Sequence, residues 1–133
     1  MADHASHDRL TRSFGPDDLP AMRTEISDYA SRAGLFGVRQ QDFVLAVDEV
    51  TTNAILHGGG SGRLRLWLAD THVWFEVSDS GPGIQLKTVP ERPEPDQIGG
   101  RGLWLASELC DVLQVWSDGK GTVVRLRMDH EDP

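Results

Sequence analysis

Glu49, Asn53 and His57 recur every four residues, so a helix through them stacks a carboxylate, an amide and an imidazole on one face. A carboxylate can orient or deprotonate an attacking hydroxyl. An amide oxygen is a hard ligand suited to Mg²⁺. One turn separates Glu49 from Asn53, so both can reach one ligand. Asp79 heads a second group, Asp-Ser-Gly-Pro-Gly-Ile, which includes Gly81, Gly83 and Ile84. An aspartate at a strand end can accept a hydrogen bond from a base's exocyclic amine, and the glycines let backbone approach closely. A third group, Gly99, Gly100, Arg101 and Gly102, precedes Leu103. Exposed amides at a helix start make an anion site, to which Arg101 adds charge. The fourth is Gly121-Thr122. Singly, each has a plain structural reading: a solvated helix face, an Asp/Gly turn, a glycine hinge and a hairpin turn.

These groups need elements to hold them. Phe43, Val47, Val50 and Ala54 follow helical spacing and predict a helix from Phe43 to His57, ended by the glycine run Gly58 to Gly62. Before it, Arg9 to Phe14 alternates as a strand, and Gly15 to Pro20 is a turn with aspartates near a helix start. Leu19, Met22, Ile26, Tyr29 and Ala33 predict a first helix that stops at Gly34. Leu64, Leu66 and Leu68 alternate with Arg63, Arg65 and Trp67, and Val73, Phe75 and Val77 alternate after a turn near Asp70. These two runs predict a hairpin. Residues 85–98 have no periodicity and hold Pro90, Pro93 and Pro95, as a functional or disordered loop would. The stretch 99–111 reads as a helix entered through glycines. Val112 to Trp116 and Thr122 to Met128 make a last hairpin. The order β-α-α-β-β-loop-α-β-β argues for an α+β sandwich of one sheet with helices on one face.

The chain of 133 residues suits a single domain over 9–133 behind a loose tail at 1–8. Thirteen Lys and Arg against 21 Asp and Glu leave a formal charge of −8. That balance disfavours nucleic acid and anionic membrane, and suits a basic protein partner. The single cysteine, Cys110, excludes an internal disulfide and fits a reducing compartment. No apolar run reaches membrane-spanning length, and the first residues lack a signal peptide's apolar core. The expectation is a cytoplasmic protein.

Familiar phosphate motifs fail in detail. Lys120 is followed by Gly121, so GKGT is no P-loop, and Leu105 stands where a dinucleotide fingerprint needs its third glycine. His4 and His7 lie in the tail and read as unstructured rather than metal-binding. Cys110 reads as core rather than nucleophile. Trp67, Trp74, Trp104 and Trp116 read as core or interface residues.

Together DEVTTNAILHG, DSGPGI, GGRGLWLASELCD and GT resemble, in order, the N, G1, G2 and G3 boxes of the GHKL ATPases. The small size and the wording of NAILHG and GGRGLWL are similar to the stand-alone anti-sigma factor serine kinases, over about residues 9 to 128. The resemblance implies a two-layer α/β sandwich with a mostly antiparallel mixed sheet and about three helices on one face. It implies ATP and Mg²⁺ as cofactors. Glu49 would be the catalytic carboxylate and Asn53 the Mg²⁺ ligand, with His57 beside them. Asp79 would hold the adenine amine, with Gly81, Gly83 and Ile84 shaping that pocket and Thr122 behind it. Residues 85–98 would be the ATP lid. Gly99, Gly100, Arg101, Gly102 and Leu103 would wrap the phosphates. The implied partners are a sigma factor and a STAS-type anti-anti-sigma factor whose serine is phosphorylated, with possible homodimers. One departure stands out. The family's serine kinases carry a basic residue just before the G2 glycines; here that place holds Ile98, and Arg101 lies inside the glycines as a catalytic substitute. The alternative is a module that regulates by sequestration alone.

Overall fold

The computed structural model describes residues 10–57, 59–80, 100–117 and 121–129. The tail at 1–8 and the loop at 85–98 lie outside them. The order is β1 (Leu10–Phe14), a 3-10 turn (Pro16–Asp18), α1 (Leu19–Arg32), α2 (Gly37–His57), β2 (Gly62–Ala69), β3 (His72–Asp79), α3 (Gly100–Leu109), β4 (Val112–Ser117) and β5 (Thr122–Asp129). The five strands form one sheet in the order β1-β2-β3-β5-β4. Every pairing between them is antiparallel.

Register shows how the alternating pattern builds two faces. Leu64 opposes Val77, Leu66 opposes Phe75 and Leu68 opposes Val73. Val77, Phe75 and Val73 in turn oppose Val124, Leu126 and Met128. A period of two puts all of these on one side, and all but the half-buried Leu68 are buried. The three helices lie on that side. α2 packs against α1, α3 and the strands β2, β3 and β5. Phe43, Ala46, Val47, Val50 and Ala54 form its buried stripe, the face that apolar periodicity predicts.

The local stops are chemical. α1 ends where Gly34 takes φ 100, a conformation with little penalty only for glycine. Leu35 N–H donates to the Ala30 carbonyl and Gly34 N–H to that of Ser31, the paired bonds of a Schellman cap. Asp70 turns the β2–β3 hairpin at φ 56, which a short acidic side chain tolerates. At the first turn, Asp18 accepts a bond from the Gly15 N–H at 2.8 Å.

One boundary differs from the sequence reading. α2 begins at Gly37, not Phe43. Its first turns carry polar residues and an exposed Val38, so no apolar period marks them. Arg39 holds that end down instead, donating to the Asp129 carbonyl and the Asp111 carboxylate.

Candidate functional site

The flanks of α2 are assigned by what they touch. Gln40 Nε2 donates to Ser27 Oγ at 3.1 Å and Ser31 Oγ at 2.8 Å, and Asp48 accepts from Arg23 at 2.8 Å. That flank therefore faces α1. At 100° per residue, Glu49, Asn53 and His57 fall on the opposite flank, the one along which α3 packs. The polar stripe of the sequence is thus a continuous edge between helices rather than the outermost face.

Burial grades along it. Asn53 is 8% exposed, one of three buried polar side chains among the described residues. Glu49 and His57 are half-buried. Burial pushes the Glu49 carboxyl above its usual value, and the neighbouring Asp48 charge adds to this. A carboxylate held this way is a better proton acceptor than a solvated one. Asp48, by contrast, is committed to Arg23. Thr51, also buried, is satisfied within the helix by the Val47 and Asp48 carbonyls.

The second group assembles at one end of the sheet. Asp79, the last residue of β3, sits opposite Thr122, the first of β5. Both follow the register of the buried side chains, so both lie on the helix-facing side. Thr122 is 3% exposed, with its hydroxyl 3.2 Å from Ser117 Oγ. Gly121 is the residue that sequence reasoning undervalued. A Cβ there would stand 2.1 Å from the Asp79 carbonyl oxygen. Only glycine lets β5 start this close to Asp79, so Gly121 fixes where Asp79 sits. The Gly-Thr pair hinted at it, but a cross-strand contact over 42 positions has no local signature.

The third group opens α3. Gly100, Arg101, Gly102 and Leu103 are its first four residues, whose N–H groups lack partners inside the helix. Leu103 needs a correction of emphasis. Its side chain is fully buried in the core, so any contact with phosphate must come from its N–H. Gly81, Gly83, Ile84 and Gly99 lie outside the described residues, as do His4 and His7. Cys110 is buried and donates to the Val112 carbonyl at 3.2 Å. Burial, with Asp111 nearby, pushes its thiol up to about 11, so it is core and not a nucleophile. Trp104 is half-buried on α3, while Trp116 is exposed.

The residues present fit a magnesium nucleotide. Among the described residues no three His, Cys, Asp or Glu gather as a metal cage. A hard cation held by Asn53 would find an amide oxygen there and the phosphate oxygens of a nucleotide beside it. No helix among the described residues is long and apolar enough to cross a membrane.

The chain is similar to known proteins over most of its length. The model of the histidine kinase-like ATPase domain matches residues 13–128. The serine-protein kinase RsbW of Listeria monocytogenes serotype 4a is 29% identical over 141 residues, spanning 94% of this chain and 90% of that protein. The anti-sigma F factor of Caldanaerobacter subterraneus is 29% identical over 116 residues, spanning 78% and 80%. Among solved structures, the RsbU and RsbW domains of a Mycobacterium tuberculosis protein match with a TM-score of 0.71 at 21% identity. That match covers 94% of this chain and 33% of the other, a likeness of fold.

Proposed function

This chain belongs to the histidine kinase-like ATPase family, and from that premise we propose that it binds Mg-ATP between α2 and α3 and phosphorylates a serine of a STAS-type anti-anti-sigma factor. In this reading it also sequesters a sigma factor. The similarity to a serine-protein kinase RsbW and an anti-sigma F factor supports the regulatory role. The observation that carries the chemistry is the Glu49–Asn53 edge of α2, facing the helix that opens with Gly100, Arg101 and Gly102.

Asp79 accepts the adenine amine, with Thr122 behind it. Asn53 supplies one oxygen to the cation. The first N–H groups of α3 and Arg101 hold the phosphates. Bound Mg-ATP supplies the transferable phosphoryl group and neutralises its developing charge. Glu49 orients the seryl hydroxyl and takes its proton. Burial, which raises the Glu49 carboxyl, makes it a stronger proton acceptor than a solvated carboxylate.

Labelled ATP and a STAS-type partner test this directly. The expected result is label on a partner serine, with transfer lowered about 100-fold or more in Glu49→Ala and ATP binding retained. Full activity in Glu49→Ala removes that residue from the chemistry. A second reading, regulation by sequestration alone, is favoured by Ile98, which stands where the serine kinases carry a basic residue. An unlabelled partner that still binds would establish it.

A further inference from the structure

We infer that the helix-free face of the sheet is a docking surface for an acidic segment of a partner protein. Three rows of side chains cross this face. Arg65 on β2, Glu76 on β3, Arg125 on β5 and Gln114 on β4 form the middle row. Trp67, Trp74 and Arg127 flank it on one side, and Arg63, Ser78, Val123 and Trp116 on the other.

The rows are built together. Trp67 and Trp74 stack with centroids 5.9 Å apart and planes 5° off parallel. The Arg65 guanidinium lies 4.9 Å from the Trp67 ring, and that of Arg125 lies 5.9 Å from Trp67 and 5.1 Å from Trp116. Arg127 covers Trp74 at 5.8 Å. Between the two middle arginines stands a single carboxylate. Glu76 takes Arg65 on one oxygen at 2.9 Å and Arg125 on the other at 2.7 Å. Both of its oxygens are used, and each planar guanidinium keeps further donors.

The plain alternative is a solvated sheet face with compensating ion pairs. The charges do not compensate. Among the described residues of this face, Arg63, Arg65, Arg125 and Arg127 stand against Glu76 and Asp129, on a molecule whose formal charge is −8. A basic patch against the sign of the whole molecule points to an acidic ligand. Trp116, 47% exposed, and the stacked tryptophans give that ligand an apolar floor, and Trp and Arg are the residues that dominate binding hot spots. A long polyanion would extend beyond the patch into the acidic field of the rest. A short acidic protein segment meets only the patch. This surface is on the opposite side of the sheet from the nucleotide site, so it stands or falls independently of it.

Fluorescence anisotropy with a labelled dodecapeptide of Glu, Asp and Phe tests the inference on the full chain. Expected is salt-sensitive binding, weakened at least tenfold in Arg65→Gln/Arg125→Gln and severalfold in Trp116→Ala. Trp116 is 47% exposed, and a wild-type melt of Trp116→Ala confirms that its loss spares the fold. Mg-ATP affinity, measured on the same samples, stays at the wild-type value. The inference is overturned by no peptide binding, equal binding by the double variant, or tighter binding of a dT12 oligonucleotide. Sedimentation that shows this face buried in a self-dimer, released by Arg65→Gln/Arg125→Gln, also overturns it.

Discussion

Glu49 shows how one residue can serve chemistry against stability. Its carboxyl is raised by burial and by Asp48, so the folded protein binds its proton more tightly than the unfolded chain does. Stability therefore falls as pH rises from the ordinary value of 4.5 through the raised one. Glu49→Gln removes that penalty. The melting temperature of the variant should exceed the wild type at pH 7, and the two should converge at about pH 4. A lower melting temperature for Glu49→Gln at pH 7 would contradict the assignment. Asp111 behaves in the opposite sense. Burial pushes it up, but the Asp129 N–H, the Arg39 guanidinium and nearby Arg127 together hold it below its ordinary 3.8. Its contribution is present above that value and fades as pH falls through the lowered one. Asp111→Asn should thus lower the melting temperature at pH 7 and much less near pH 2. Equal losses at both would show that the Arg39 clamp is not ionic. Spacing put Glu49 and Asn53 on one helix face and Asp79 at a strand end, where the structure has them. The environment that tunes them was not legible in the sequence, because burial belongs to the packed state.

At the scale of elements, the strands were read to within two residues and α2 was not. Alternation in β2 and β3 is local, and the register only extends it. The start of α2 depends on Arg39 meeting Asp111 and Asp129, residues 72 and 90 positions away, so no window of sequence contains it. The same holds for the join of β3 to β5. Gly121→Ala would force a Cβ into the Asp79 carbonyl at 2.1 Å, and backbone on both sides would have to part. Nucleotide affinity should drop at least tenfold, about 1.4 kcal/mol, with a lowered melting temperature. Wild-type affinity in Gly121→Ala would show that Asp79 is not positioned by β5.

For the whole molecule, one sheet separates two surfaces of different character. The helix side carries the core and, at its edge, the carboxylate, amide and helix start that suit a magnesium nucleotide. The open side carries tryptophans stacked under arginines. Sequence periodicity indicated both sides of each strand. It did not show that Trp67, Trp74 and Trp116 share a face with Arg65 and Arg125, since that follows from pairing across four strands.

The most direct test of the central claim is calorimetry of Mg-ATP with the wild type, Asn53→Ala and Asp79→Asn. The account predicts micromolar binding, about 8 kcal/mol, lost in both variants while each keeps its cooperative melt. A well-folded wild type that binds no nucleotide, or variants that bind as the wild type does, would contradict it.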